Sequence, residues 1–105
     1  MKNKAINALL EMGMPADIKG FQYIVDAMLM FEDKEIRTGK ITALYYEIGK
    51  KNNTTASRVE RAIRHAFGIV LSFGKHKSVE KYLAFHNTTN GNLLHVLYLR
   101  LTQEE

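Results

Sequence analysis

The sequence predicts an all-α protein of about six helices with a helix-turn-helix embedded near its middle. Three observations carry this prediction. Apolar residues recur at three- and four-residue spacing along most of the chain, the period of a one-sided helix. No run alternates apolar and polar residues long enough to form a strand, and no hairpin turn separates two β-rich segments. One proline and seven glycines punctuate this pattern, with no internal repeat and no linker, so residues 1–105 read as one domain. A chain of this length can bury roughly two-thirds of its unfolded surface without a disulfide or metal staple.

The first helix is short and amphipathic, with Ile6, Leu9 and Leu10 on one side and Gly13 ending it. After Met14–Pro15, a second helix over Ile18–Phe31 carries Phe21, Ile24, Val25, Met28, Leu29 and Phe31, the spacing of a well-buried element. Thr38–Gly39 breaks the pattern. Ile41, Leu44, Tyr45 and Ile48 form the stripe of a third helix, interrupted at Asn52-Asn53-Thr54. The fourth, from Thr54 to Gly74, is the most regular: Val59, Ala62, Ile63, Ala66, Phe67, Val70 and Leu71 lie on one face. Lys75–Lys77 reads as a loop, Val79–Phe85 as a short fifth helix and Asn87–Asn92 as a polar turn. Leu93, Leu94, Val96, Leu97, Leu99 and Leu101 make an apolar last helix; being apolar on more than one face, it motivates an expectation of self-association. The methionines at 12, 14, 28 and 30 sit at helical spacing with Ile and Leu and read as core.

Composition excludes several function classes. There is no cysteine, which removes disulfide scaffolds, thiolate zinc and thiol chemistry. The longest uninterrupted apolar stretch, Ala27–Phe31, is far short of a bilayer crossing. Ile6–Leu10 is too short and polar for the apolar region of a secretory signal, so a cytoplasmic location is expected. The histidines at 65, 76, 86 and 95 are too widely spaced to pair on one helix, so no metal is expected. With no phosphate-cradling glycine motif and no nucleophile elbow, neither a cofactor nor an enzymatic activity is expected.

Charge is informative through its placement. Between Lys50 and His65 five basic residues face one acidic residue, Glu60, so this stretch carries the entire formal excess of +4. The same stretch, IGKKNNTTASRVERAIRH from Ile48, has the parts of a helix-turn-helix over about 41–74. Gly49 supplies a small residue where the second helix crosses, and Asn53 tolerates a left-handed conformation in the turn. Thr54, Thr55 and Ser57 are each acceptable N-caps, Ser57 with Glu60 as a capping box. Ile48, Val59 and Ile63 lock the helices together, while Asn52 stands where such motifs usually place an apolar residue.

At 100° per residue, Arg58, Glu60, Arg61, Arg64 and His65 all fall within about 100° of Ser57, opposite the apolar stripe. A face of this kind suits the major groove: arginine bonds guanine O6 and N7 bidentately, and glutamate accepts from cytosine N4. Lys50 and Lys51, just before the turn, are placed for phosphates, and the helix N-terminus at Thr54 offers backbone N–H groups. The bland alternative is a solvated face with Glu60 and Arg64 as an i,i+4 pair. A helical protein-interaction module, its basic face meeting an acidic partner, is the rival function; it would have no reason to prefer one DNA duplex.

NTTASRVERAIRHA at 53–66, preceded by YYEIGKK at 45–51, resembles the C-terminal effector domain of the stage-zero sporulation master response regulator family. EMGMPADIKGFQYIVDAM at 11–28 resembles the opening segment of that domain, with its G-x-P-A-x-I-K-G signature. The resemblance is strong over Ile6–Gly74 and thin from Lys75 to Gln103. It implies a six-helix domain that binds a short asymmetric box in double-stranded DNA, often in tandem copies, to regulate transcription. It implies base contacts at Arg58, Glu60 and Arg61, and phosphate contacts at Ser57, Arg64 and His65. It also brings RNA polymerase as a partner, and on tandem boxes the self-association expected from Leu93–Leu101 would give a homodimer on DNA. The family's receiver domain is not expected here, because the alternating βα pattern it needs is missing; an excised fragment and a free-standing effector both fit.

Overall fold

The computed structural model describes residues 1–103 and contains seven helices and, among those residues, no strand. In chain order they are α1 (Lys2–Met12), α2 (Lys19–Met30), α3 (Lys34–Thr38), α4 (Ile41–Lys51), α5 (Ala56–Phe73), α6 (His76–Tyr82) and α7 (Asn90–Thr102). The all-α architecture and the five longer helices follow the periodicity of the sequence.

α2 is the central element. It packs chiefly on α5, and also on α1, α4 and α7. Eight of its twelve residues, from Gly20 to Met28, are buried, so it faces protein on nearly all sides. Close contact with α5 depends on Gly20: a Cβ there would lie 2.2 Å from the Ala62 carbonyl oxygen and 2.6 Å from the Ala66 Cβ. The buried residues form one core, in which Leu9, Ile24, Met28, Phe31, Ile48, Ile63, Phe67 and Leu94 are all but inaccessible. Met12, Met14 and Met28 belong to it.

The structure adds α3 to the six expected helices. It has no buried residue and so no apolar stripe to announce it. Instead, Asp33 caps its start by accepting from the Glu35 N–H at 2.9 Å. His95 reaches across from α7, its ring nitrogens 2.8 Å from the Gly91 carbonyl and 2.9 Å from that of Arg37.

The expected loop at Lys75–Lys77 and helix at Val79–Phe85 are corrected. α6 begins at His76 and stops at Tyr82. Its start is set from outside the segment: the Lys75 N–H donates to the Met12 carbonyl at 3.1 Å, pinning the chain against the end of α1. The polar turn at Asn87–Asn92 proves to be partly helical cap. Thr89 caps α7, its hydroxyl accepting from the Asn92 N–H, and Asn90 is already helical. In α7, Leu93, Leu94, Leu97 and Leu101 point into the core and Leu99 remains exposed.

Candidate nucleic-acid interface

The helix-turn-helix forms from α4 and α5, with Asn52–Thr55 between them. Among the described residues Asn53 is the one non-glycine residue with positive φ, at 57°, a conformation that asparagine adopts more readily than most side chains. The turn closes when the Thr54 N–H donates to the Gly49 carbonyl at 2.8 Å. Gly49 has to be small: a Cβ there would stand 2.8 Å from the Thr54 carbonyl oxygen. Of the three candidate caps, Thr55 takes the role, its hydroxyl accepting from the Arg58 N–H at 3.2 Å. The second helix therefore starts at Ala56 rather than Thr54, and Ser57 lies in its first turn. Ile48, Val59 and Ile63 are fully buried and lock the two helices.

On the opposite face of α5, Ser57, Arg58, Arg61, Arg64 and His65 are exposed and Glu60 is half-buried. Glu60 and Arg64 form an ion pair one turn apart. Arg58 and Arg61 enter no ion pair among the described residues, so their guanidinium donors face outward uncommitted. Lys50, at the end of α4, sits 3.5 Å from Glu47 and over the Tyr46 ring, in contacts exposed to solvent. Thr54 is half-buried in the turn. Beside this face an open groove runs between α4 and α5, lined by Thr42, Tyr45, Ala56, Ser57 and Glu60. Burial raises the phenol pKa of Tyr45, partly opposed by the Asn90 side chain beside it.

Lys51 is placed differently from Lys50. Its ammonium turns back onto α2 and donates to Asp26 Oδ1 at 2.8 Å. Asn52, the polar residue in an otherwise apolar position, donates to Asp26 Oδ2 at 2.8 Å and to the Ile48 carbonyl at 2.9 Å. Neither partner is visible from local spacing, because Asp26 lies 25 and 26 residues away. Asn90 is a second residue that sequence reasoning missed. It is buried and donates to the Glu60 carbonyl at 3.0 Å, fastening the start of α7 to the middle of α5.

Among the described residues no group of three or more histidine or carboxylate side chains is placed to hold a metal ion, and no helix is long and apolar enough to cross a membrane. The family model described as sporulation initiation factor Spo0A C terminal matches residues 5–101, extending through α6 and α7 where the sequence resemblance is thin. The uncommitted arginines on α5, the tight turn before it and this match over nearly the whole chain agree: the chain belongs to the sporulation initiation factor Spo0A C-terminal family, the DNA-binding effector domain of a sporulation regulator.

Proposed function

We propose that the chain acts as a single effector domain that reads a short box in double-stranded DNA, with α5 in the major groove and α4 bracing it across the backbone. The observation that carries this reading is the outward face of α5, where Arg58 and Arg61 are exposed and unpaired beside a partly buried carboxylate. Arg58 and Arg61 bond guanine edges, and Glu60 accepts from a cytosine amino group. Arg64 holds Glu60 in the free protein and turns to a phosphate on binding, releasing the carboxylate to the base. Lys50, Thr54, Ser57 and His65 supply the other phosphate contacts; Lys51, held by Asp26, is set apart from them. The protein works in the cytoplasm on chromosomal DNA, regulating transcription, with paired copies on adjacent boxes and RNA polymerase as its protein partner.

The test is selection from a randomised duplex pool at moderate salt. Enrichment of one short asymmetric box is expected, and Arg61→Ala should then cost about 1–3 kcal/mol and relax preference at one base pair. An equal loss on every duplex would make Arg61 a phosphate contact. Salt-sensitive retention without enrichment would overturn sequence reading and favour a protein-interaction module.

A further inference from the structure

Asp26 is the only charged residue among those described that is fully buried. Desolvation strongly disfavours a carboxylate in such a place unless a charge and hydrogen-bond donors meet it. Here three donors do: Gln22 Nε2 at 2.9 Å and Lys51 Nζ at 2.8 Å on Oδ1, and Asn52 Nδ2 at 2.8 Å on Oδ2. Gln22 lies one turn earlier on α2, whereas Lys51 is the last residue of α4 and Asn52 the first of the turn. Stability alone does not call for this arrangement, since a well-packed apolar side chain commonly serves a buried position as well as an ion pair does. What an apolar residue cannot do is select a particular ammonium and amide and fix their direction.

α2 thereby touches both halves of the helix-turn-helix. Near its start, Gly20 lets it lie against α5 at Ala62 and Ala66; two turns on, Asp26 takes hold of the α4 end and the turn. With one rigid helix fixed at both points, the angle at which α5 leaves the turn is determined.

We infer that Asp26 is a positioning residue for DNA reading: through Lys51 and Asn52 it sets the α4–α5 turn and so the presentation of Arg58 and Arg61. The inference rests on the DNA-reading function proposed above. It makes Lys51, whose side chain is half-exposed, a structural cation held by Asp26.

The experiment compares the wild-type chain, Asp26→Asn and Lys51→Met. Each is bound to the selected duplex and to a scrambled duplex over a range of salt concentrations, at a temperature where melting curves show it folded. Hydrogen exchange is followed at the Thr54 amide, which closes the turn on Gly49. Both variants should lose about tenfold in preference for the selected duplex, comparable to the loss of one base contact. Thr54 exchange should accelerate relative to amides in the middle of α2, and the salt dependence should stay at the wild-type slope. Should Asp26→Asn fail to fold, Lys51→Met carries the same test. Undiminished preference in the folded variants would leave Asp26 a stability element only and overturn the inference. So would a fall of about 0.9 in the Lys51→Met salt slope, which marks a lost phosphate contact. If the wild-type chain itself shows no preference, the DNA-reading function fails and this inference with it; preference in the wild type and unaltered variants would overturn the inference alone.

Discussion

The same substitution, glycine to alanine, is expected to have opposite effects at two positions of this fold. Gly68 lies within α5, exposed, with nothing within 4 Å of a Cβ placed on it. Alanine there keeps its helix preference at no steric cost, so Gly68→Ala should stabilise the protein by roughly 0.5–1 kcal/mol. For a domain of this size that is a rise in Tm of about 4 °C. Gly20 lies in the first turn of α2, where the preference gained is no larger. Its Cβ would stand 2.2 Å from the Ala62 carbonyl oxygen and 2.9 Å from the carbonyl carbon, both rigid backbone of α5. Ordinary contact needs about 3.5 Å, so the helices would have to separate by roughly 1 Å along their main interface. Close-packed interiors resist such strain, and overpacking costs typically 1–3 kcal/mol. Gly20→Ala should therefore lower stability by about 2 kcal/mol, and Tm by about 10 °C. Urea unfolding followed by circular dichroism measures both, provided the m-value is unchanged. If the two variants shift in the same direction, or Gly20→Ala stays within about 0.5 kcal/mol of wild type, the close α2–α5 approach is not what Gly20 provides.

Two further effects follow from the site. Thr55→Ala should cost about 1 kcal/mol because the α5 cap is lost, while Ser57→Ala should change stability by less than about 0.5 kcal/mol; equal losses in chemical denaturation would move the cap away from Thr55. The Tyr45 phenol has its pKa raised by burial, so the fold favours its protonated form. Its contribution is complete below the unfolded value of about 10 and is lost as pH rises through the folded value. Tyr45→Phe should make the alkaline fall of Tm shallower, the remainder belonging in part to Tyr82, whose pKa burial also raises. An alkaline limb of wild-type steepness in Tyr45→Phe would contradict this assignment.

The helix-turn-helix was legible in the sequence because its signals are local. Gly49, Asn53, the threonines at 54 and 55 and the stripe from Val59 to Val70 lie within a few residues of what they act on. The six outward residues of α5, Ser57, Arg58, Glu60, Arg61, Arg64 and His65, share a face by helical period alone. Where local chemistry was degenerate, sequence could name the options but not select one: Thr54, Thr55 and Ser57 all qualify as caps, and in the structure it is the Thr55 hydroxyl that accepts from the Arg58 N–H.

By itself, then, the sequence determined the helical class, the order of the longer helices and the residue types displayed by α5, since hydrophobic period and cap chemistry act over one or two turns. Tertiary structure alone decided which neighbours those helices meet. It set Gly20 against Ala62, turned Lys51 and Asn52 onto Asp26, and drew Asn90 to the Glu60 carbonyl. It also set the start of α6, which depends on a hydrogen bond to Met12. Each of these partners is distant in sequence, and a buried polar group is satisfied by whatever donor the completed packing brings to it.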